Sequence, residues 1–182
     1  PLGPSFPTRR SSDLSICEAD AVILGPGSLY TSIIPNLMVK DIANALKKTS
    51  ALKLYVSNIM TQTGETDGYS VADHIRAIYK HAGNGIIDYV IVNEGKIQNE
   101  LENKYKLQDS ELVKVDYDKI SELNVNSIEG DFLTIVNNLI RHNSERLASI
   151  LIETIMEKKL LFDQKKIIEY FYLTKKLKDY KR

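Results

Sequence analysis

The sequence has little of what marks secreted, membrane-spanning or nucleic-acid-binding proteins. Its 182 residues include no tryptophan and one cysteine, Cys17, so an internal disulfide is excluded. We expect Cys17 to be a small buried side chain and not a nucleophile. No apolar run approaches the ~20 residues that a transmembrane helix needs. Lysine plus arginine (24) equals aspartate plus glutamate (24), so no net charge attracts a polyanion. We therefore expect a cytoplasmic globular protein without membrane insertion or a nucleic-acid partner.

The first 14 residues, "PLGPSFPTRRSSDL", predict neither helix nor strand, because they lack apolar periodicity and carry three prolines among the first seven positions. Residues 5–14 also resemble the translation of a sequencing adapter, and a natural disordered tail is the alternative. We interpret residues 1–14 as non-native or disordered. The α/β domain is expected over residues 15–160, followed by a C-terminal helical extension over residues 161–182.

Three short apolar runs alternate with helical patterns along the first half of the chain. Residues 19–25, 52–57 and 88–95 predict strands, the first of them buried. One helix is predicted over residues 37–48. Another begins at Ser70, whose side chain and the Asp73 carboxylate have the spacing of a capping box. This alternation predicts an α/β fold with a Rossmann-like open, mostly parallel sheet flanked by helices.

The second half of the chain has weaker signals. Residues 111–116 and 127–134 predict short strands at the sheet edge, and residues 102–107 predict a helix. A further helix is expected to start with Asn143 or Ser144 as its cap. The basic amphipathic pattern over residues 163–180 predicts a terminal helix with one packed face. Contact of that helix with a membrane or an acidic partner is the alternative.

The predicted strands all end in polar, glycine-bearing segments. In an open parallel sheet, ligands bind at the carboxyl ends of the strands, so we expect a ligand site where these segments meet. The first segment, "GPGSLYTS", combines Gly25 and Gly27 with the hydroxyl groups of Ser28, Thr31 and Ser32. Such a turn can cradle phosphate oxygens through backbone N–H groups and hydroxyls, and a tight turn with helix caps is the alternative.

The second segment, "NIMTQTGETDG" at residues 58–68, is unusually polar for a connector. Its carboxylates, Glu65 and Asp67, could hold magnesium beside a phosphorylated ligand. Its uncharged polar side chains could bind a sugar or base, and they are Asn58, Thr61, Gln62 and Thr66. A plain turn at Asp67 and Gly68 with Thr66 as a cap is the alternative.

Two further side chains are candidates on chemical grounds. Arg141, in "IRHN", could pair with phosphate through two parallel hydrogen bonds, or it could form a salt bridge with a neighbouring carboxylate. His74 lies near the start of a predicted helix, where a structural hydrogen bond is the favoured interpretation. No arrangement of residues for nucleophilic catalysis is evident, so no catalytic residue is assigned.

Together the segments "ADAVILGPGSLYTSIIPNLMVKDIANAL", "NIMTQTGETDGYSVADHIRAI", "DYVIVNEG" and "IRHN" resemble the bacterial gluconeogenesis factor family, a branch of the 2-phospho-L-lactate transferase-like superfamily. The resemblance implies a cytoplasmic, Rossmann-like protein that binds UDP-N-acetylglucosamine or a related UDP-sugar. It implies a regulatory role in cell shape and cell-wall precursor supply on gluconeogenic carbon sources. A magnesium-dependent transferase acting on a nucleotide-linked donor is the alternative, and a homo-oligomer is left open.

The resemblance also implies roles for particular residues. Phosphate or ribose is assigned to Gly25, Gly27, Ser28 and Thr31, and the diphosphate or sugar to Arg141. The rest of the cleft is assigned to Asn58, Thr61, Gln62, Glu65 and Asp67. Two features depart from the family pattern. The "GGTG"-like first strand is absent, so we expect N-terminal strands of the family fold to be missing. Asn143 replaces an expected aspartate, and Ser144 beside it is hypothesised to accept a phosphate.

Overall fold

The computed structural model describes residues 12–160. Its helices are α1 (Ser12–Glu18), α2 (Ile34–Leu37), α3 (Lys40–Lys48), α4 (Val71–Ala82), α5 (Asn99–Lys106), α6 (Tyr117–Glu122) and α7 (Ser144–Ile155). Its strands are β1 (Ala21–Leu24), β2 (Leu52–Val56), β3 (Tyr89–Asn93), β4 (Asn126–Gly130), β5 (Leu133–Val136) and β6 (Leu139–His142). π-Helical turns cover Leu29–Ile33 and Met156–Leu160.

A four-stranded parallel sheet forms the centre of the fold. Its strand order is β1-β2-β3-β4, and each neighbouring pair is parallel. The crossovers that connect parallel strands carry helices, as the alternation in the sequence predicts. The predicted α/β class with an open, Rossmann-like parallel sheet is confirmed. Because all four strands run the same way, the polar segments after β1, β2 and β3 leave the sheet at one edge.

Apolar residues cover both faces of this sheet. On β2, Tyr55 belongs to the cluster formed with α2, α3 and α4, while Leu54 and Val56 belong to the cluster formed with α7. The alternation of side chains along a strand sends neighbouring residues to opposite faces. Complete burial of one such side chain contributes about 1.5–3 kcal/mol, so the central strands anchor both layers.

Helix α4 begins and ends as its sequence predicts. The Ser70 hydroxyl accepts the Asp73 N–H at 3.3 Å, and the Asp73 carboxylate accepts the Ser70 N–H at 3.1 Å. These reciprocal bonds complete a capping box. The helix stops at Gly83, whose φ of 88° is in the region that glycine favours. The capping box at Ser70 therefore fixes the end of the polar segment that follows β2.

The structure corrects three predictions in the first half of the chain. Strand β1 is not buried, since it is an edge strand with one neighbour and Ile23 is 43% exposed. Cys17 is exposed on α1, and that helix begins at Ser12, inside the segment predicted to lack regular structure. The helix predicted over residues 37–48 is found as α3, which starts at Lys40, and the separate short helix α2 precedes it. Pro35 lies in the first turn of α2, where a missing N–H costs little.

In the second half of the chain, the structure departs further from the predicted elements. Residues 111–116 form no strand but two isolated bridges, in which Leu112 pairs with Met60 and Lys114 with Ser70. The strand predicted over residues 127–134 is divided between β4, at the sheet edge, and β5. Strand β5 pairs with β6 in an antiparallel hairpin that the sequence reading missed. Asn137 and Asn138, both with positive φ, make its turn.

Helix α7 starts at the first of its two predicted caps, because the Asn143 side chain accepts the Arg146 N–H at 3.1 Å. The helix predicted over residues 163–180 lies outside the described residues. Among the helices within residues 12–160, none combines the length and the apolar character that a membrane crossing requires.

Candidate ligand-binding site

The glycine-rich turn after β1 packs directly on the end of β2. Gly25 has a φ of +86°, and a Cβ there would lie 3.1 Å from the Val56 carbonyl oxygen and 3.3 Å from Ile33 Cδ1. At Gly27, a Cβ would lie 3.2 Å from the Ser32 Cβ. Glycine is therefore required here by the close approach of the turn to its neighbours.

A hydrogen-bond network joins this turn to the polar segment after β2. The Ser28 hydroxyl donates to Glu65 Oε2 at 2.7 Å, and it accepts the Thr31 hydroxyl at 2.6 Å and the Thr31 N–H at 3.2 Å. Ser28 and Glu65 are 37 positions apart in the sequence. We call this set of three side chains the Ser28–Thr31–Glu65 network. It brings two predicted site segments together at the carboxyl edge of the sheet.

The polar segment is held in shape by its own hydrogen bonds. The Gln62 carbonyl accepts the N–H groups of Glu65 at 3.0 Å and Thr66 at 2.9 Å, and the Thr66 hydroxyl accepts the Gln62 N–H at 2.9 Å. Thr66 is fully buried, so its role is structural. Asn58 donates to the Gln62 side chain at 3.3 Å. The Glu65 side chain thus extends from a turn that these hydrogen bonds hold in shape.

Two predicted site residues face another part of the molecule. The Thr61 hydroxyl accepts the Glu111 N–H at 2.9 Å and is almost completely buried, and Asp67 accepts the Gly64 N–H at 2.9 Å. Both line a cavity of about 500 Å³ between this segment and the end of α5, whose other walls are Thr63, Gly68, Lys106, Asp109, Ser110 and Glu111. The structure does not bring Thr61 or Asp67 to the Ser28–Thr31–Glu65 network.

The two carboxylates predicted to share a magnesium ion therefore have different partners. Glu65 accepts Ser28, whereas Asp67 closes its own turn at Gly64. Within residues 12–160 no three histidine, cysteine or acidic side chains are grouped closely enough to hold a metal ion. Magnesium binding here stays a prediction.

Arg141 lies on strand β6 of the hairpin. Its side chain is exposed and makes no hydrogen bond or ion pair with the described residues. The next residue, His142, bonds through Nε2 to the Ser57 carbonyl at 3.2 Å and so fastens β6 to the end of β2. Burial lowers the pKa of His142, which favours the neutral ring. Sequence reasoning missed His142, although it adjoins Arg141 in "IRHN".

Two tyrosines also link the segments that follow β1 and β2. The hydroxyls of Tyr30 and Tyr69 are 2.9 Å apart, and the Tyr69 ring meets the His74 ring edge-on at 5.6 Å. The hydrogen bond to Tyr69 and burial raise the pKa of Tyr30 to about 12. His74 Nδ1 lies 2.8 Å from the Ser70 carbonyl, as expected for a structural histidine, and burial lowers its pKa. Tyr30 and Tyr69 were missed, although each lies inside a motif.

The third segment, after β3, supports the hairpin. The Asn93 side chain accepts the Phe132 N–H at 2.9 Å and donates to the Gly95 carbonyl at 3.1 Å. Phe132 is buried against β2, β3 and α7. Asn93 thus serves the connection between β4 and β5, which in turn sets where β6 and Arg141 lie.

These features define an open parallel α/β domain in which the polar segments that follow β1 and β2 are joined at the carboxyl ends of the strands. The family described as 2-phospho-L-lactate transferase CofD matches residues 8–133, and the chain belongs to this family.

Similar proteins support the same assignment. A relative from Clostridium acetobutylicum, named as a gluconeogenesis factor, is 59% identical over 91% of this chain and 37% of its own length. The gluconeogenesis factor of Bacillus subtilis is 41% identical over 78% of this chain and 45% of its own. A Bacillus halodurans protein solved by crystallography and described as a UPF0052 family member is 40% identical, with a TM-score of 0.74 over 76% of this chain and 45% of that chain. This chain thus spans less than half the length of each.

Proposed function

We propose that this chain is part of a gluconeogenesis factor, a cytoplasmic regulatory protein that binds UDP-N-acetylglucosamine or a related UDP-sugar. In this proposal, ligand binding links carbon metabolism to cell shape and cell-wall precursor supply. The family and the names of the relatives support the assignment. In this proposal the chain is part of a longer protein, since the match covers 37% and 45% of the length of these two relatives.

One observation carries the location of the site. The Ser28 hydroxyl bonds to Glu65 across two separate segments at the carboxyl ends of β1 and β2, where open parallel sheets bind ligands. Gly25, Gly27, Ser28, Thr31 and Glu65 form the wall at this point, and Asn58 and Gln62 extend it. Arg141 is exposed and without a described partner, so its guanidinium is available for a diphosphate.

The family name favours a second candidate, a magnesium-dependent transferase that acts on a nucleotide-linked donor. In that case Glu65 would contact the metal and the bond to Ser28 would open. The two candidates differ in what they require, because a regulator binds its ligand without turnover. Consumption of a guanosine-linked donor that depends on magnesium would favour the transferase.

Calorimetric titration of UDP-N-acetylglucosamine tests the first proposal. The chain, its Arg141→Ala variant and an Arg146→Ala control are titrated, with the full-length Bacillus subtilis relative in parallel. Arg146 is also exposed, but its guanidinium bonds to Asp131 instead of facing solvent alone. We expect saturable binding that Arg141→Ala weakens by tenfold or more and Arg146→Ala leaves in place, as for a lost charge-assisted contact of about 1.5–3 kcal/mol.

Two results would contradict the proposal. Equal affinity in the Arg141→Ala and Arg146→Ala variants would remove Arg141 from the site. Absence of heat with every UDP-sugar, in the chain and in the relative, would reject the ligand class and move attention to guanosine nucleotides with magnesium.

A further inference from the structure

The Ser28–Thr31–Glu65 network has spare acceptors but no spare hydroxyl proton. A carboxylate only accepts hydrogen bonds, so the single Ser28 proton is committed to Glu65 Oε2. The Thr31 hydroxyl lies 2.6 Å from the Ser28 hydroxyl and must then donate to it, so the Thr31 proton is committed as well. Both hydroxyl protons are therefore used inside the network, since the Thr31 proton points to Ser28 and the Ser28 proton points to Glu65. What remains for a ligand are lone pairs on Thr31 and on Glu65.

This proton arrangement bears on which part of a nucleotide-sugar can bind here. A phosphate offers only acceptors and negative charge at neutral pH, so it would meet a carboxylate and two hydroxyls that cannot donate to it. A hydroxyl group offers a proton, which a carboxylate accepts strongly. Among the described residues no hydrogen bond reaches Glu65 Oε1, which leaves that oxygen for a second donor.

The carboxylate is also held in place before any ligand arrives. The Glu65 N–H bonds to the Gln62 carbonyl at 3.0 Å, and the next residue, Thr66, is fully buried. A polar group that is fixed by its surroundings loses little conformational entropy on binding. Glu65 therefore meets the requirement for a selective contact, which is a charged acceptor on a rigid backbone.

We propose that Glu65, assisted by Thr31, binds adjacent hydroxyl groups of the ligand, and that phosphate is held elsewhere in the proposed site. The inference rests on the proposed function, because it assigns one part of the nucleotide-sugar to one part of that site. The hydroxyls come from the ribose or from the attached sugar, and both present the same chemistry. Arg141, on the hairpin, is the group suited to the diphosphate.

The test combines one conservative substitution with a set of related ligands. Glu65→Gln keeps the acceptor for Ser28 and the side-chain length but removes the charge. Asp67→Asn is the matched control, because it makes the same change two residues away on the side facing the separate cavity. Each protein is titrated with UDP-N-acetylglucosamine, with its 2′-deoxyribose analogue and with UDP, in the presence of magnesium and again with EDTA.

We expect Glu65→Gln to weaken binding of UDP-N-acetylglucosamine by about tenfold or more and Asp67→Asn to leave it unchanged. If the ribose supplies the hydroxyls, the wild-type chain binds the deoxy analogue less tightly and Glu65→Gln loses that preference. If the attached sugar supplies them, Glu65→Gln weakens the UDP-sugar and leaves UDP unaffected. Either pattern supports the proposal and identifies the source.

Three other outcomes overturn it. Binding by Glu65→Gln that is unchanged or tighter would mean that the carboxylate opposes a phosphate at this position. A loss confined to solutions with magnesium would mean that Glu65 binds the cation. A wild-type chain that binds none of the uridine ligands would reject the proposed function together with this inference, whereas the first two outcomes leave the proposed function standing.

Discussion

Substitution of Gly25 by alanine tests whether the close approach of the glycine-rich turn to β2 stabilises the protein. Two costs add at this position. The φ of +86° is disfavoured for a residue with a Cβ, by about 1–2 kcal/mol. The new methyl would also lie 3.1 Å from the Val56 carbonyl oxygen, which is backbone at the end of the interior strand β2 and cannot move aside cheaply. Overpacking of this kind costs about 1–3 kcal/mol.

Gly64→Ala is the matched control. Gly64 has a similar φ of +78°, but nothing lies within 4 Å of the position that its Cβ would take. Its cost is therefore the backbone cost alone, about 1–2 kcal/mol. The sum for Gly25→Ala is about 2–5 kcal/mol, so the difference between the two variants isolates the crowding at about 1–3 kcal/mol.

Urea unfolding followed by circular dichroism measures both free energies of unfolding, provided that the two transitions have the same slope. A Gly25→Ala variant that is no less stable than Gly64→Ala would refute the argument. That result would mean that the turn can move away from β2, and the proposed site would then lack a fixed backbone at this point.

Two further predictions concern the support of the site. Thr66→Val keeps the shape of a buried side chain but leaves the Gln62 N–H without its acceptor, so unfolding should become easier by about 1–3 kcal/mol, whereas Thr66→Ser should retain most of the stability. Equal urea midpoints for both variants would contradict this. His74 is buried with Nδ1 on the Ser70 carbonyl, and its Nε2 has no hydrogen-bond partner among residues 12–160. Burial lowers the pKa of His74, so the folded protein resists protonation of this ring. Stability from this group should be intact above the unfolded pKa of about 6.5 and fall as pH drops from there through the lower folded pKa, by at most ~1.4 kcal/mol per pH unit. The free energy of unfolding, measured from pH 7.5 to 5, should change less with pH for His74→Phe than for wild type, with His142 supplying a remaining slope. The same pH dependence in both proteins would show that His74 does not contribute.

Local patterns in the sequence were sufficient for the elements whose signals are local. The capping box at Ser70, the stop at Gly83 and the central strands β2 and β3 follow from residues within a few positions of one another. The alternation of these elements was enough to predict a parallel sheet with helices on its faces. It was also enough to expect polar segments together at one edge of that sheet.

The failures have a common physical origin in contacts between distant residues. Nothing local distinguishes Thr61, whose hydroxyl is taken by the Glu111 N–H, from a threonine that faces a ligand. The exposure of β1 depends on how many neighbours it has in the sheet, which its own apolar run does not specify. Strand β6 was hidden because its four residues adjoin a strong helix signal at Asn143.

The sequence alone thus determined the class of fold, the direction of the strands and the edge at which a site can form, because these depend on periodicity and on caps. Only the tertiary structure decided which polar side chains meet. Ser28 and Glu65 are joined across 37 residues, and the direction of the protons in the network leaves lone pairs on Glu65 and Thr31 instead of hydroxyl protons. That property arises from the geometry of two segments in contact, so neither segment carries it by itself.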